Sequence, residues 1–137
     1  MALSKEENDM LTQVGPGKPA GEMLRRYWQP IGFANELQGK PKRKRILGED
    51  VVLFRDEFGK FGVLALRCMH RGTSLEFGHI ENGGLRCCYH GWLYDVDGKV
   101  LETLGEGAES TFKERVRQPA YKVKELGAVL LDRKSVV

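Results

Sequence analysis

The sequence predicts a mainly β fold, a small antiparallel sandwich or barrel preceded by short helices. Three observations carry this. Short apolar, β-branched runs recur from residue 51 onward, each bounded by turn formers. Seventeen glycines, nearly twice ordinary usage, gather in those turns. Helical periodicity is confined to the first thirty residues.

Taken in order, Ser4 and Glu7 have capping-box spacing, and Leu3, Met10, Leu11 and Val14 make an apolar stripe, so a helix is expected over 4–14. Gly15-Pro16-Gly17 stops it. A second short helix, about 20–28, carries Met23, Leu24, Tyr27 and Trp28 and is ended by Pro30. Residues 1–30 are thus expected as a helical segment and 31–137 as the β domain. Val51–Arg55 and Phe61–Arg67, separated by Asp56-Glu57-Phe58-Gly59-Lys60, read as a hairpin. Leu85–Cys88, Trp92–Val96 and Lys99–Glu102 are further strands, the last two joined through Asp97-Gly98. Residues 103–117 are polar and mixed, a long connection. Tyr121–Leu131 returns to strand composition, interrupted at Gly127.

Composition excludes several classes. With 137 residues, 41% hydrophobic and 30% charged, the chain is a globular domain, able to bury roughly 68–70% of its unfolded surface. Its longest apolar runs, such as Val51–Phe54, are four residues, far too short for a membrane span. The start, Met-Ala-Leu-Ser-Lys-Glu-Glu, has no secretory character, so a cytoplasmic protein is expected. Three cysteines are too few for a disulfide scaffold. The run Lys40-Pro41-Lys42-Arg43-Lys44-Arg45 has the composition of a nucleic-acid patch. Only Tyr27 and Trp28 lie near it and the net charge is just +3, so a solvated strand edge is the better reading, with no nucleic-acid partner. Docking of an acidic reductase is the alternative use of that run.

The chemistry lies in Cys68-Met69-His70 and Cys87-Cys88-Tyr89-His90, separated by the sixteen residues Arg71–Arg86. Structural zinc sites usually group cysteines in one knuckle and histidines in another. Here each segment offers one thiol and one imidazole. Two loops can therefore pinch a binuclear cluster, each giving its Cys to one iron and its His to the other, as in a Rieske [2Fe–2S] centre. A zinc-stabilised module with the same four ligands is the competing reading, separable by colour. Cys88 in place of Cys87 would give Cys-x-His in both loops.

The flanking residues sharpen the pattern. Cys68-Met69-His70-Arg71-Gly72 and Cys87-Cys88-Tyr89-His90-Gly91-Trp92, followed by Leu93-Tyr94-Asp95, resemble the Rieske domain of ring-hydroxylating oxygenase large (alpha) subunits. Met23-Leu24-Arg25-Arg26-Tyr27-Trp28-Gln29-Pro30 is similar to the start of the phthalate dioxygenase group, and the likeness runs from about residue 10 to about residue 127. It implies a Rieske-type β domain with two cluster-binding loops, and a [2Fe–2S] cluster on Cys68, His70, Cys87 and His90. It implies a reductase or ferredoxin as electron donor. The implied acceptor is a catalytic non-haem iron in a further domain or a neighbouring subunit of an oligomer. Cys87 is favoured over Cys88, which is left as a small buried apolar side chain. His79 has no cysteine in register and is expected to be structural or exposed. Gly72 and Gly91 either admit backbone N–H groups to the sulfurs or serve sharp turns.

With His70 and His90 engaged, only His79 remains, whereas a mononuclear oxygenase iron needs two histidines and a carboxylate. The catalytic domain is thus expected to be absent, and hydroxylation by this chain alone is not expected. A stand-alone Rieske ferredoxin is the alternative, against which the N-terminal helices argue. Thr73 and Tyr89 stand where respiratory-type members carry a disulfide, and Trp92 where they carry a serine. The resemblance therefore implies a potential in the lower half of the Rieske range.

Overall fold

A computed structural model of the chain describes residues 2–134. Helix α1 spans Lys5–Thr12, and its capping box forms as the sequence predicts: the Ser4 hydroxyl accepts from the Glu7 N–H while the Glu7 carboxylate accepts from the Ser4 N–H. Helix α2, Pro19–Leu24, starts on a proline, whose missing N–H costs nothing in a first turn. It stops well before Pro30. The helix expected over about 20–28 thus ends early, and Gln29–Phe33 form β1, with Pro30 inside it. The proline is tolerated because β1 is an edge strand, where a missing donor breaks no interior ladder.

Among the described residues nine strands follow: β2 Lys42–Ile46, β3 Glu49–Arg55, β4 Phe61–Ala65, β5 His79–Glu81, β6 Gly84–Arg86, β7 Leu93–Tyr94, β8 Val100–Glu102, β9 Ala120–Leu126 and β10 Val129–Arg133. A four-residue helix α3, Phe112–Arg115, interrupts the long connection. One sheet has six antiparallel strands in the order β1-β10-β9-β4-β3-β2, the other four in the order β5-β6-β7-β8. The six-stranded sheet curls almost shut. A Cβ on Gly32 of β1 would lie 3.1 Å from Leu53 and 3.4 Å from Lys44 of the far strands. A Glu36–Lys44 ion pair at 2.6 Å bridges the gap.

Two cores share β3 and β4. Val51, Leu53 and Val63 point into the barrel with Ile31, Leu37 and Leu130. Val52, Phe54 and Leu64 point the other way, onto Leu66, Leu75, Leu85, Trp92, Tyr94 and Val100 of the second layer. A strand covered on both faces has no polar alternation, which is why Val51–Phe54 reads as a continuous apolar run. The second core also contains Cys68 and Cys87.

The basic run forms β2, an outer strand. Arg43 pairs with Asp50 at 3.3 Å and lies 3.9 Å from Glu76, Arg45 meets Asp50 at 3.3 Å, and Lys44 is held by Glu36. Among the described residues, three of its five cations are thus paired within the fold. Among the described residues no helix is long and apolar enough to cross a membrane.

Candidate metal centre

The two segments singled out in the sequence become two loop tips with one hydrogen-bond frame. In the first, the Cys68 N–H donates to Thr73 O at 2.9 Å and the Gly72 N–H to Cys68 O at 2.7 Å. In the second, the Cys87 N–H donates to Trp92 O at 2.8 Å and the Gly91 N–H to Cys87 O at 3.1 Å. Gly72 and Gly91 have φ of 76° and 72°, the left-handed region that a side chain disfavours. Their own N–H groups are spent on carbonyl oxygens, which supports the turn role, and in the second loop the Tyr89 and His90 N–H groups reach the Cys87 sulfur, which supports the other.

These frames bring the four predicted residues together in two layers. Cys68 and Cys87 are buried and their thiols interact directly. His70 and His90 lie further out, half-buried and exposed, their ring centres 4.7 Å apart and nearly perpendicular. Among the described residues no three His, Cys, Asp or Glu side chains are grouped to hold a single ion. The donors come as an inner thiol pair and an outer imidazole pair.

The electrostatics are those of uncharged donors in a desolvated site. Burial and the neighbouring Cys68 push the Cys87 thiol up, against backbone N–H donation from Tyr89 and His90 to its sulfur. Burial, His90 and Arg71 hold the His70 imidazole below its ordinary value, favouring the neutral ligand form. Iron between the sulfurs would reverse the first effect, since a bound cation deprotonates a coordinating thiol. Two soft sulfurs inside and two imidazoles outside suit a [2Fe–2S] cluster of mixed ligation.

Residues outside the motif hold this arrangement. Trp92 stacks on His70, centres 4.5 Å apart and planes within 5°, and Phe112 of α3 meets Trp92 edge-on at 5.7 Å. Tyr89 lies over His90 at 3.8 Å. Arg86 donates to Gly91 O at 2.6 Å and is fixed by Glu81 and by Glu102 at 2.7 Å, so it ties down the second loop. The Tyr94 hydroxyl sits 2.9 Å from Cys68 Sγ in the core. Sequence reasoning used Tyr94 only as a flanking residue. Strand alternation could have found it, because Trp92 and Tyr94 share the inward face. Arg86 and Phe112 had no comparable signal.

Cys88 corrects an expectation. It is exposed rather than buried, because the loop that turns Cys87 inward turns its neighbour out. His79 is exposed on β5 and takes no part.

A model of the Rieske [2Fe-2S] domain matches residues 27–113. The chain belongs to that family. Membership implies a Rieske-type [2Fe–2S] cluster, for which the fold and donor set above are suited. The chain is 53% identical over 115 residues to phenoxybenzoate dioxygenase subunit alpha of Ectopseudomonas oleovorans, covering 84% of this chain and 28% of that protein. It is 46% identical over 128 residues to the phthalate 4,5-dioxygenase oxygenase subunit of Pseudomonas putida, covering 91% and 29%. The crystal structure of dicamba monooxygenase bound to dicamba superimposes with a TM-score of 0.73 at 28% identity, over 82% of this chain and 35% of that one. This Rieske chain spans about a quarter to a third of the length of these curated relatives. It is homologous to the Rieske domains of ring-hydroxylating oxygenase alpha subunits, which are electron-transfer domains.

Proposed function

We propose that Cys68 and Cys87 hold the inner iron and His70 and His90 the outer iron of a [2Fe–2S] cluster. In this reading the domain takes single electrons from a reductase or ferredoxin and delivers them to the non-haem iron of an aromatic-ring-hydroxylating oxygenase. When bound, the cluster supplies a one-electron carrier. The reading is supported most by the sorting of the four donors, thiols buried and imidazoles towards solvent. The buried layer shields the sulfurs, while the exposed edges of His70 and His90 offer the short path to a partner. Trp92 and Tyr89 keep the two imidazoles from rotating, and Arg86 keeps the second tip closed. The catalytic iron lies outside these residues, because one spare histidine does not make a two-histidine site. We assign residues 1–30 to an N-terminal segment whose last two residues already pair with β10, 31–137 to the Rieske domain, and the protein to the cytoplasm, where thiols stay reduced.

Ligand substitution tests this. Cys68→Ser, His70→Ala, Cys87→Ser and His90→Ala should each abolish the visible and rhombic EPR signals of the reconstituted chain, whereas Cys88→Ser should keep them. A colourless protein that holds zinc after aerobic and anaerobic reconstitution alike would overturn the assignment. So would a Cys88→Ser variant that bleaches while Cys87→Ser does not.

A further inference from the structure

Gln118 lies outside the residues matched by the Rieske family model and makes no contact that the electron-transfer reading uses, yet it is 1% exposed. Its surroundings explain why a long amide is buried there. Strand β4 pairs with β9 through Val63↔Tyr121 and Leu64↔Ala120, and the Ala65 N–H extends the ladder by donating to Pro119 O at 2.8 Å. The ladder then fails, because Pro119 has no N–H to return. The Gln118 side chain takes over. Its Nε2 donates to Ala65 O and to Arg67 O, each at 2.8 Å, and its Oε1 accepts from the Met69 N–H at 2.8 Å. Residues 65, 67 and 69 present their groups to one side, so a single side chain stands in for the missing strand. The Gln118 backbone is itself pinned, its N–H donating to Gly98 O at 2.8 Å. Gly98 has φ of 79°, and a Cβ there would come within 2.0 Å of Gln118 O, so only glycine lets the two segments approach this closely.

Met69 is the residue between Cys68 and His70. We propose that Gln118 is the positioning residue of the first ligand loop: it fixes the Met69 amide and thereby sets the mutual placement of the Cys68 sulfur and the His70 ring. The proposal rests on the reading of those two residues as ligands. The amide chemistry is specific. Glutamate would set a carboxylate against two carbonyl oxygens, asparagine is one methylene short, and leucine would leave one N–H and two C=O groups without that partner in a part-buried site. The second loop has its own tether in Arg86, so the effect of Gln118 is confined to the first.

The test compares three forms of the full chain carrying its cluster: wild type, Gln118→Leu, and Val63→Ala as a control for lost stability in the barrel core. Peptide-resolved hydrogen exchange reads the loops and voltammetry with EPR reads the cluster. Gln118→Leu is expected to speed exchange in the first-loop peptide by roughly tenfold while the second-loop peptide keeps its protection. It should also shift the potential and the EPR g-values. Val63→Ala should lower the melting temperature and move neither potential nor g-values. If Gln118→Leu does not fold, Gln118→Asn, which keeps the amide but is one methylene short of the Met69 N–H, carries the same comparison. Equal acceleration of both loops, or a potential and EPR spectrum unchanged from wild type, would overturn the proposal. Failure of the ligand assignment would show differently, as a wild-type chain without the rhombic signal, and the exchange comparison would still report on the loop.

Discussion

Among single residues, Tyr94 has the clearest electronic consequence. Its hydroxyl lies 2.9 Å from Cys68 Sγ, and burial together with the two thiols pushes its own ionisation far above the ordinary phenol value. It therefore keeps its proton at any working pH and is able to donate it to a deprotonated Cys68 sulfur. Such a bond favours the reduced, more negative cluster. A hydrogen bond of about 0.5–1.5 kcal/mol corresponds to roughly 20–60 mV in a one-electron couple. Tyr94→Phe should lower the potential by that order with little change in the visible spectrum, which protein-film voltammetry measures directly. The wild-type potential itself is expected in the lower half of about −150 to +300 mV, because Trp92 stands where a serine would add a second hydroxyl.

Strand β10 carries an unusual load for an interior strand. Asp132 is fully buried, and Lys134 just beyond the strand nearly so, their charged atoms 3.4 Å apart. Among the described residues the Asp132 oxygens have no hydrogen-bond donor, while Lys134 also lies 3.8 Å from the Tyr121 ring centre. Two desolvated charges with one long contact repay little of their solvation cost. Asp132→Ala alone, which strands the lysine, should cost about 3–5 kcal/mol, whereas Asp132→Leu with Lys134→Met should be neutral or stabilising, by denaturant titration. The pH sign follows from burial, which raises the Asp132 carboxyl above its ordinary range. For an acid raised on folding, the stabilisation is present below the unfolded pKa and is lost as pH climbs towards the folded one. Asp132→Asn should therefore flatten the decline in unfolding midpoint as pH rises above the ordinary carboxylate range.

At the scale of the molecule, the two cores make separable predictions because β3 and β4 serve both. Phe54 belongs to the core that contains Cys68 and Cys87, Leu130 to the barrel. Phe54→Ala should cost about 3–5 kcal/mol and accelerate cluster loss. Leu130→Ala should cost about 2–5 kcal/mol yet leave the visible spectrum intact until the fold melts. Parallel melts followed by circular dichroism and by visible absorbance decide this: coincident transitions in Leu130→Ala, and early bleaching in Phe54→Ala. Equal behaviour of the two variants would mean that the layers act as one unit.

What the sequence determined by itself was local. The capping box at Ser4 and Glu7, the turns at Asp97-Gly98 and Gly127, the β3–β4 hairpin and the composition of both ligand loops depend on groups a few residues apart, so a linear reading reaches them. The tertiary structure decided whatever depends on a distant neighbour. Pro30 looked like a helix stop and lies in a strand, because an edge pairing with β10 leaves its missing N–H without consequence. Cys87 and Cys88 are the same residue type side by side. Only the fold of the second loop turns one into the core and the other into water. Alternation turns Tyr94 inward but only packing sets it on Cys68, and Gln118 reaches Met69 across a separation that no period or spacing announces. A hydrogen bond to a buried atom is set by where two elements pack, and packing is a property of the assembled layers rather than of either segment.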